Sequence, residues 1–244
     1  MSGGGMRCAW SGGFLVALSD MGFQPASIIT KSGNAGNAVY VATGQTEMIK
    51  RIWTIHLARS KFINWWRFWK IIDIDYLVDE VLSHYEPVDL KRLKKSSTRV
   101  FVACFNVSQR RVDYFSNEVI DFSVLKATKA MPIAYGKEIN IRGDMYTDKP
   151  FSPYQLLEDQ NKNLEQKILL IDVREKSSLI RKLYTIVGDK TKVEERLAEN
   201  IFVIEPKNTR VRLLSGSSAV LREAYDDGYT CALSRKGDIL EFLK

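Results

Sequence analysis

The stretch IITKSGNAGNAVY, residues 28–40, decides how this chain folds. A short β-branched run meets Lys31 and Ser32, and glycines with other small residues then follow in a helix-like pattern. A strand that turns sharply into a small-residue helix at a serine is how many hydrolases present a nucleophile, usually spelled G-x-S-x-G. Here Thr30 and Asn34 occupy the two glycine positions. Ser32 is therefore either a nucleophile or an ordinary serine in a glycine-rich turn, and both interpretations stay open at this point.

The second half of the chain indicates the fold class. After residue 163, apolar runs typical of strands alternate with helical patterns, at 167–173, 177–198, 200–206 and 217–234. Such alternation is typical of a sheet that is mostly parallel and covered by helices. We therefore predict an α/β fold with a mostly parallel central sheet flanked by helices. Residues 1–163 would form its core, and residues 164–244 would add a βαβα part that packs on the same sheet, within one domain.

The first half of the chain predicts further elements from apolar periodicity and from turn residues. Helices are predicted at 6–21, 34–50, 73–85 and 123–131, and strands at 27–30, 99–107 and 111–116. Residues 138–149 are predicted to form a hairpin with Arg142, Gly143 and Asp144 at its turn.

Composition limits where the protein works. No apolar run approaches the roughly 18 to 20 residues that a transmembrane helix needs, and the first ten residues do not have the pattern of a signal peptide. Cys8, Cys104 and Cys231 lie far apart in apolar surroundings, without metal-ligand spacing. We expect reduced core cysteines in a cytoplasmic protein, which at most contacts the inner face of a membrane peripherally.

Charge and histidine content limit the possible chemistry. The chain has only two histidines, His56 and His84, so a zinc site built mainly on histidine is nearly excluded. The net charge of +7 attracts phosphate, whether on nucleic acid or on an anionic membrane surface. No nucleic-acid-binding motif accompanies that charge, so nucleic acid is not the expected partner.

The first motif of the chain, SGGGMR at residues 2–7, places three glycines before a predicted helix. Backbone N–H groups next to a helix N-terminus bind anions. The alternative is a flexible start, since glycine runs at a terminus are often disordered. The serine turn at residues 28–40 supports the anion-binding interpretation of these glycines. A site for acyl transfer needs both an anion-binding loop and a nucleophile.

In order and spacing these motifs resemble those of the patatin-like phospholipase family. That family has a G-G-G-x-R loop, then a G-x-S-x-G turn, and later an Asp in a D-G dipeptide that completes a Ser-Asp dyad. Residues 3–7 match the loop, and Ser32 falls at the nucleophile. NAVYVATGQ (37–45), the run 125–149, NIFVIEP (200–206) and LREAYDDGY (221–229) are also similar to bacterial members.

The resemblance implies a three-layer architecture and a role for each residue of the site. Ser32 would be the nucleophile and Asp148 the base, so their side chains should come within hydrogen-bond reach of each other. The oxyanion hole would consist of Gly3, Gly4 and Gly5, supported by Arg7 and by Gly33. No cofactor and no metal is implied.

The sequence departs from the family pattern next to Ser32 and next to Asp148. Thr30 and Asn34 replace glycines, and Lys149 follows Asp148 where the family has glycine. A lysine at that place is expected to pair with Asp148 and to weaken it as a base. Only two residues precede the glycine loop, where the family has a strand, so either the start is truncated or the sheet lacks its usual central strand.

The segment RSKFINWWRFWK, residues 59–70, places Trp65, Trp66 and Trp69 among four cationic side chains. Indoles and cations together suit a membrane interface. The alternative is that rings of this segment line the core or the mouth of an acyl pocket. In either case the segment follows the serine turn and is expected to border the site.

Taken together, the sequence predicts a serine acyl hydrolase that acts on lipid or other acyl esters. The alternative is a catalytically inactive protein of the same fold that binds lipid or a protein partner.

Overall fold

The computed structural model describes residues 1–58, 60–67, 70–149, 153–160, 166–174, 200–207 and 210–244. The helix predicted at 177–198 lies outside these residues, as do Trp69 and Arg59 of the aromatic segment.

The described chain contains eight α-helices and seven strands. The helices are α1 (Cys8–Asp20), α2 (Gly33–Thr43), α3 (Glu47–Arg51), α4 (Leu90–Lys94), α5 (Phe122–Ala127), α6 (Pro153–Gln160), α7 (Ser218–Ser234) and α8 (Lys236–Leu243). The strands are β1 (Ser27–Thr30), β2 (Arg99–Asn106), β3 (Arg111–Phe115), β4 (Ile139–Ile141), β5 (Asp144–Thr147), β6 (Ile168–Ile171) and β7 (Ile201–Ile204). A 3-10 turn, Gly5–Arg7, leads into α1, and two segments, Ile52–His56 and Tyr76–Tyr85, are π-helical.

The sheet is mixed. Strand β1 pairs with β2 in parallel, with Ser27 opposite Arg99, whereas β3 and β5 pair with β2 antiparallel and β4 pairs with β5 antiparallel. A second, two-stranded sheet consists of β6 and β7 in parallel. The prediction of an α/β fold with a helix-flanked sheet is confirmed, and antiparallel strands extend the parallel part.

Several predicted boundaries were wrong, and among them the helix predicted at 123–131 ends at Ala127. The single helix predicted at 34–50 ends at Thr43, because Gly44 adopts a left-handed φ of 67° and Gln45 N–H bonds back to the carbonyl of Tyr40. The hairpin at 138–149 forms, but its turn has two residues, Arg142 and Gly143, with φ values of 54° and 99°. Positive φ at both central residues matches the twist of the flanking strands.

Helices α1 and α7 cross at glycine. A Cβ atom added to Gly13 would lie 1.9 Å from the carbonyl oxygen of Tyr225, and one added to Gly228 would lie 1.9 Å from that of Trp10. The indole of Trp10 donates a 2.6 Å hydrogen bond to Asp227 beside this crossing. The close approach fixes α1 in place, and α1 follows the glycine loop.

The first two residues connect the two sheets. The ammonium group of Met1 donates to the carbonyl of Ile29 at 2.6 Å, and Ser2 N–H donates to that of Ile171 at 3.0 Å. The Ser2 hydroxyl accepts from Val173 N–H at 2.9 Å. The glycine loop is thereby held at the ends of β1 and β6.

Candidate active site

Ser32 occupies the turn between β1 and α2, and its backbone is strained. Its φ of 55° lies in the left-handed region that side chains other than glycine rarely adopt. The strain persists because Ser32 N–H donates to the Thr128 hydroxyl at 2.8 Å and the Ser32 carbonyl accepts from Ala35 N–H at 3.1 Å. Outliers of this kind cost about 1–3 kcal/mol and cluster at functional sites.

The glycine loop packs directly against this turn. A Cβ atom added to Gly3 would lie 3.0 Å from the Cβ atom of Ser32, and one added to Gly33 would lie 3.0 Å from the Gly5 carbonyl oxygen. Gly5 itself has a φ of 55°, and a Cβ atom there would lie 2.4 Å from the carbonyl oxygen of Leu213. Backbone therefore approaches backbone at a distance that only glycine permits.

The other two predicted members of the loop have specific neighbours. A Cβ atom added to Gly4 would lie 2.6 Å from the side chain of Val173, directly after β6. The carbonyl of Gly4 accepts from the N–H group of Arg7 at 3.1 Å, and the Arg7 side chain is buried. Both residues thus hold the loop that carries Gly5.

Asn34 ties the N-terminal segment to the serine turn. Its side-chain oxygen accepts hydrogen bonds from the Ser11 hydroxyl at 2.5 Å and from the Asn37 amide at 2.9 Å. Its side-chain nitrogen donates to the carbonyl of Ser2 at 2.8 Å. The residue that departs from the family pattern is therefore the centre of a buried polar network, which glycine could not form.

An apolar pocket opens beside Ser32 and Gly5. It has a volume of about 410 Å³, counting the space at its mouth. Its lining includes Gly33 and Lys129 together with large apolar side chains: Met6, Trp53, Leu57, Phe62, Ile72, Ile74, Leu77, Met131, Leu213 and Leu214. The lining suits an acyl chain, but the enclosed part of the pocket is only about 40 Å³, so it would have to widen to hold one.

Asp148 is buried and paired with a lysine, but not with the lysine that was predicted. Its Oδ1 atom lies 3.0 Å from Nζ of Lys31, and both side chains are almost completely buried. Lys31 also donates to the carbonyl of Lys149 at 2.7 Å. The side chain of Lys149 lies over the ring of Phe105, 4.4 Å from its centroid. The expected pairing of Lys149 with Asp148 was therefore wrong.

Ser32 and Asp148 are anchored to the same turn after α5. Thr128 accepts from Ser32 N–H, and the carbonyl of Ala130 accepts from Asp148 N–H at 2.9 Å. Within the part of the chain that the structure describes, the Ser32 hydroxyl forms no hydrogen bond with the Asp148 carboxylate. Catalytic hydrogen bonds are often long without substrate, so the dyad stays a prediction.

Lys129 is the second cation of the site. Its side chain is 6% exposed and lines the pocket that Ser32 lines. Burial lowers the pKa of Lys129 to about 8. Its ammonium group donates to the carbonyl of Leu125 at 2.9 Å.

The aromatic segment divides into buried and exposed rings. Phe62 is buried and lines the pocket, whereas Trp65 and Trp66 are 62% and 87% exposed. Phe62 fits the interpretation that some rings of the segment line the pocket, whereas Trp65 and Trp66 are not part of its lining.

Sequence reasoning missed Lys31, Thr128, Lys129 and Leu213. Lys31 had a local signal, because it stands alone between a β-branched run and the serine. Lys129 had only a weak one, since it is one of two lysines, with Lys126, in the helical stretch 123–131. Leu213 had none, since its contact with Gly5 depends on a long-range approach of backbone.

Two features are absent from the described residues, a metal-binding cluster and a membrane-spanning helix. That part of the chain holds no group of three or more His, Cys, Asp or Glu side chains that could bind a metal ion. None of its helices combines the length and the apolar character needed to cross a bilayer.

Comparison with known proteins agrees with this geometry. No curated protein matches the chain significantly. A family model described as patatin-like phospholipase matches residues 1–152, which include the glycine loop, the serine turn, the turn after α5 and Asp148. Because the match covers more than half of the chain, the protein belongs to the patatin-like phospholipase family.

Proposed function

We propose that this protein is a serine acyl hydrolase that cleaves carboxylic esters of lipids or similar acyl compounds. Ser32 attacks the ester carbonyl, and Asp148 takes the serine proton and passes it to the leaving alcohol. The backbone N–H groups of Gly3, Gly4 and Gly5 stabilise the oxyanion. Water then releases the acyl group from Ser32, again with Asp148 as the base.

The single observation that carries this proposal is the strained backbone of Ser32. A serine with a φ of 55° at the start of α2 projects its hydroxyl from the turn, while the N-terminus of the helix favours negative charge nearby. An ordinary glycine-rich turn would place glycine at the strained position, and Gly33 is one residue away. Serine therefore occupies a position at which glycine would have less backbone strain, which indicates that its hydroxyl group is needed there.

The test is covalent labelling with a fluorophosphonate probe, which reacts with activated serines. We expect one label per chain, located at Ser32 by peptide mass spectrometry. Ser32→Ala should abolish labelling without unfolding, because alanine and serine have the same cost at positive φ. Asp148→Asn should slow labelling by a factor of about 100 or more, as expected for loss of a general base. Ser97→Ala, at an exposed serine, is the matched control and should change nothing.

If the wild-type protein is not labelled and does not hydrolyse short-chain esters, the proposal that it is a serine acyl hydrolase is refuted. Labelling at a serine other than Ser32 would refute the assignment of the nucleophile.

We also propose that the protein works at an anionic lipid surface. Trp65, Trp66 and Ile133 are exposed large apolar side chains, with Ile133 90% exposed. Their segments adjoin, because Ile63 pairs with Ile72, and Ile72 N–H donates to the carbonyl of Ala134. Phe62 of the same segment lines the pocket, so lipid bound by the indoles would lie near its mouth.

Vesicle binding tests this surface. Binding should be stronger to anionic than to neutral vesicles and should weaken with salt. The double variant Trp65→Ala, Trp66→Ala should reduce binding and leave the melting temperature within about 2 °C, because exposed substitutions cost little stability. Equal binding by the variant would contradict the proposal.

A second candidate function is a catalytically inactive binding protein of the same fold. The observation that favours it is the ion pair of Lys31 with Asp148, since it neutralises the carboxylate that would act as base. It predicts that wild type binds lipid or a partner without any labelling. In that case Lys31→Met combined with Asn34→Gly is the variant in which labelling should first appear.

A further inference from the structure

A polar pocket lies beside α4, at the end of α2 that is remote from Ser32. It has a volume of about 470 Å³, and Ala42 of α2 forms part of its lining. Ser32 directly precedes α2, and Ala42 lies ten residues further on, about 15 Å along the helix axis. The described residues that line this pocket all differ from those that line the apolar pocket. The α4 pocket is therefore separate from the candidate active site.

The walls of the α4 pocket come from different parts of the chain that are bonded to one another. The hydroxyl of Ser96, after α4, donates to the carbonyl of Ala42 at 2.6 Å. The side-chain amide of Gln24, between α1 and β1, donates to the Ser97 hydroxyl at 2.8 Å. The shape of the pocket thus follows from the fold and does not depend on one flexible side chain.

The lining of the α4 pocket is basic. Lys91, Arg92 and Lys95 line it, and Asp89 is the single carboxylate among the described lining residues, which gives a net charge of +2. In the part of the chain that the structure describes, none of these three cations forms an ion pair. Lys91 and Lys95 are four residues apart at α4, a spacing at which like charges destabilise a helix. An anion in the pocket would relieve this repulsion.

Arg92 has a second role within the fold. A Cβ atom added to Gly44 would lie 2.9 Å from the Nη2 atom of Arg92. Gly44 follows the last residue of α2, and cations are favourable at the C-terminus of a helix. The end of α2 therefore accounts for Arg92, whereas Lys91 and Lys95 need a different explanation.

The polar groups of the α4 pocket suit the hydroxyl groups of a ligand. Ser97 accepts from Gln24, so its own O–H can donate, and the side-chain oxygen of Gln24 can accept. One oxygen of the Asp89 carboxylate accepts from Arg92 N–H at 2.8 Å, which leaves the other for a hydroxyl donor. Asp89 and Lys95 cap opposite ends of α4. The pocket therefore has an acidic end, which would repel a second phosphate group, and a basic end.

The surroundings of the α4 pocket favour a soluble ligand. The large apolar side chains that are exposed in the described part of the chain, Trp65, Trp66 and Ile133 among them, do not line it. A membrane that presented a lipid headgroup to this pocket would find no apolar anchor in the lining. The ligand that fits is therefore one that diffuses freely.

We propose that the α4 pocket binds a soluble phosphate ester with a hydroxylated body, the chemistry of a sugar phosphate. The phosphate accepts charge-assisted hydrogen bonds from Lys91 and Lys95. The hydroxyl groups of the body bond Ser97 and Asp89, and the volume of the pocket suits a small molecule of this kind. The proposal goes beyond the proposed hydrolase and does not depend on it.

The experiment is calorimetric titration of the full chain with glucose 6-phosphate, glucose and inorganic phosphate. Glucose 6-phosphate should bind most tightly, because it alone carries both the phosphate and the hydroxyl groups. Lys95→Met should weaken its binding about tenfold or more, as for loss of a hydrogen bond to a charged group. Lys94→Met is the matched control, since Lys94 is exposed on the same helix outside the lining. The control should change the affinity less than about twofold, because salt screens a charge outside the pocket.

Several results would overturn the proposal. They are no binding of glucose 6-phosphate, equal binding of glucose and glucose 6-phosphate, inorganic phosphate bound as tightly as the ester, and equal losses in Lys94→Met and Lys95→Met. The last result would mean that the lysines act only through the general charge of the chain. Melting curves should show that both variants stay folded, because exposed substitutions cost little stability.

A lipid source is tested with phosphatidylcholine vesicles that contain phosphatidic acid. If Lys95→Met weakens binding to these vesicles while glucose 6-phosphate does not bind, the soluble ligand is wrong. Fluorophosphonate labelling of Ser32 should be the same in Lys95→Met and in wild type. Absence of labelling in both, with glucose 6-phosphate still bound, would refute only the hydrolase.

Discussion

The two sides of the candidate site are built in opposite ways. On the nucleophile side, the glycine loop packs closely on the serine turn: a Cβ atom on Gly3 would lie 3.0 Å from that of Ser32, and one on Gly33 would lie 3.0 Å from the Gly5 carbonyl oxygen. On the acid side, Asp148 is surrounded by long cationic side chains, with Lys31 bonded to it and Lys129 near it. The nucleophile side depends on glycines, which have no side chain, and the acid side depends on charged side chains.

The difference shows which part of the site can vary. Close approach of backbone leaves almost no freedom at the glycine loop, which is retained, whereas Thr30 and Asn34 replace the two glycines of the serine turn. The surroundings of the carboxylate are side chains, such as that of Lys31, which can be exchanged without moving the backbone. Changes of specificity or of activity are therefore expected on the acid side.

The largest effect is expected from the buried ion pair. Lys31→Met should lower the free energy of unfolding by about 3–5 kcal/mol, because it leaves the Asp148 carboxylate buried without its partner. The double variant Lys31→Met, Asp148→Asn should recover most of that loss. Urea denaturation of wild type, both single variants and the double variant measures the coupling. Additive losses would mean that the pair contributes nothing to stability.

A smaller effect is expected on the nucleophile side. Gly5→Ala should cost about 2–4 kcal/mol, since alanine is strained at a φ of 55° and its Cβ atom would meet the carbonyl of Leu213 at 2.4 Å. Gly36→Ala is the control, because nothing lies within 4 Å of its added Cβ atom and it is inside α2. That variant should gain about 0.5–1 kcal/mol from helix propensity. Equal stabilities of the two variants would show that the loop yields to a side chain.

Lys129 provides a third test, in which the effect of a substitution on the free energy of unfolding depends on pH. Its pKa falls from 10.5 in the unfolded chain to about 8 in the folded protein, so below pH 8 the buried charge destabilises the folded state. Lys129→Met should therefore stabilise the protein at pH 7 by about 1–2 kcal/mol, after about 1 kcal/mol is subtracted for the lost bond to Leu125.

The gain should shrink as the pH rises from 8 towards 10.5, because folded wild type sheds the proton that the unfolded chain keeps. Denaturation curves of both proteins at pH 7 and pH 9.5 give the difference. A gain that does not depend on pH would show that Lys129 is not charged in the folded protein.

Local sequence patterns predicted much of the fold. The run Ser27–Thr30 followed by small residues gave β1 and α2, and alternation gave the pair β2 and β3. The end of α2 at Gly44 was missed, because apolar spacing continues through a residue whose φ turns left-handed. The hairpin of β4 and β5 was not placed in the sheet, since pairing of β2 with β5 joins residues far apart in sequence.

The candidate site was predicted less completely, for a physical reason. Ser32 and the glycines lie in tight backbone turns. Such turns favour glycine and other small residues, and these can be recognised in the sequence. The partner of Asp148 is set by the reach of a flexible side chain, and Lys31 and Lys149 are equally basic in the sequence. Which lysine bonds the carboxylate depends on the direction in which each leaves the backbone, and no local pattern contains that information.

The smallest effect is expected at Lys149, the lysine that the sequence predicted as the partner of Asp148. Lys149 is exposed, and its ammonium group lies 4.4 Å from the centroid of the Phe105 ring. An exposed cation–π contact contributes about 0.5–1 kcal/mol, so Lys149→Met should change the free energy of unfolding by no more than that. Labelling of Ser32 should keep its wild-type rate, since the carboxylate keeps its bond to Lys31. The same substitution at Lys31 and at Lys149 thus separates a buried partner from an exposed neighbour. If Lys149→Met changed the labelling rate more than Lys31→Met did, Lys149 would be the cation that controls Asp148.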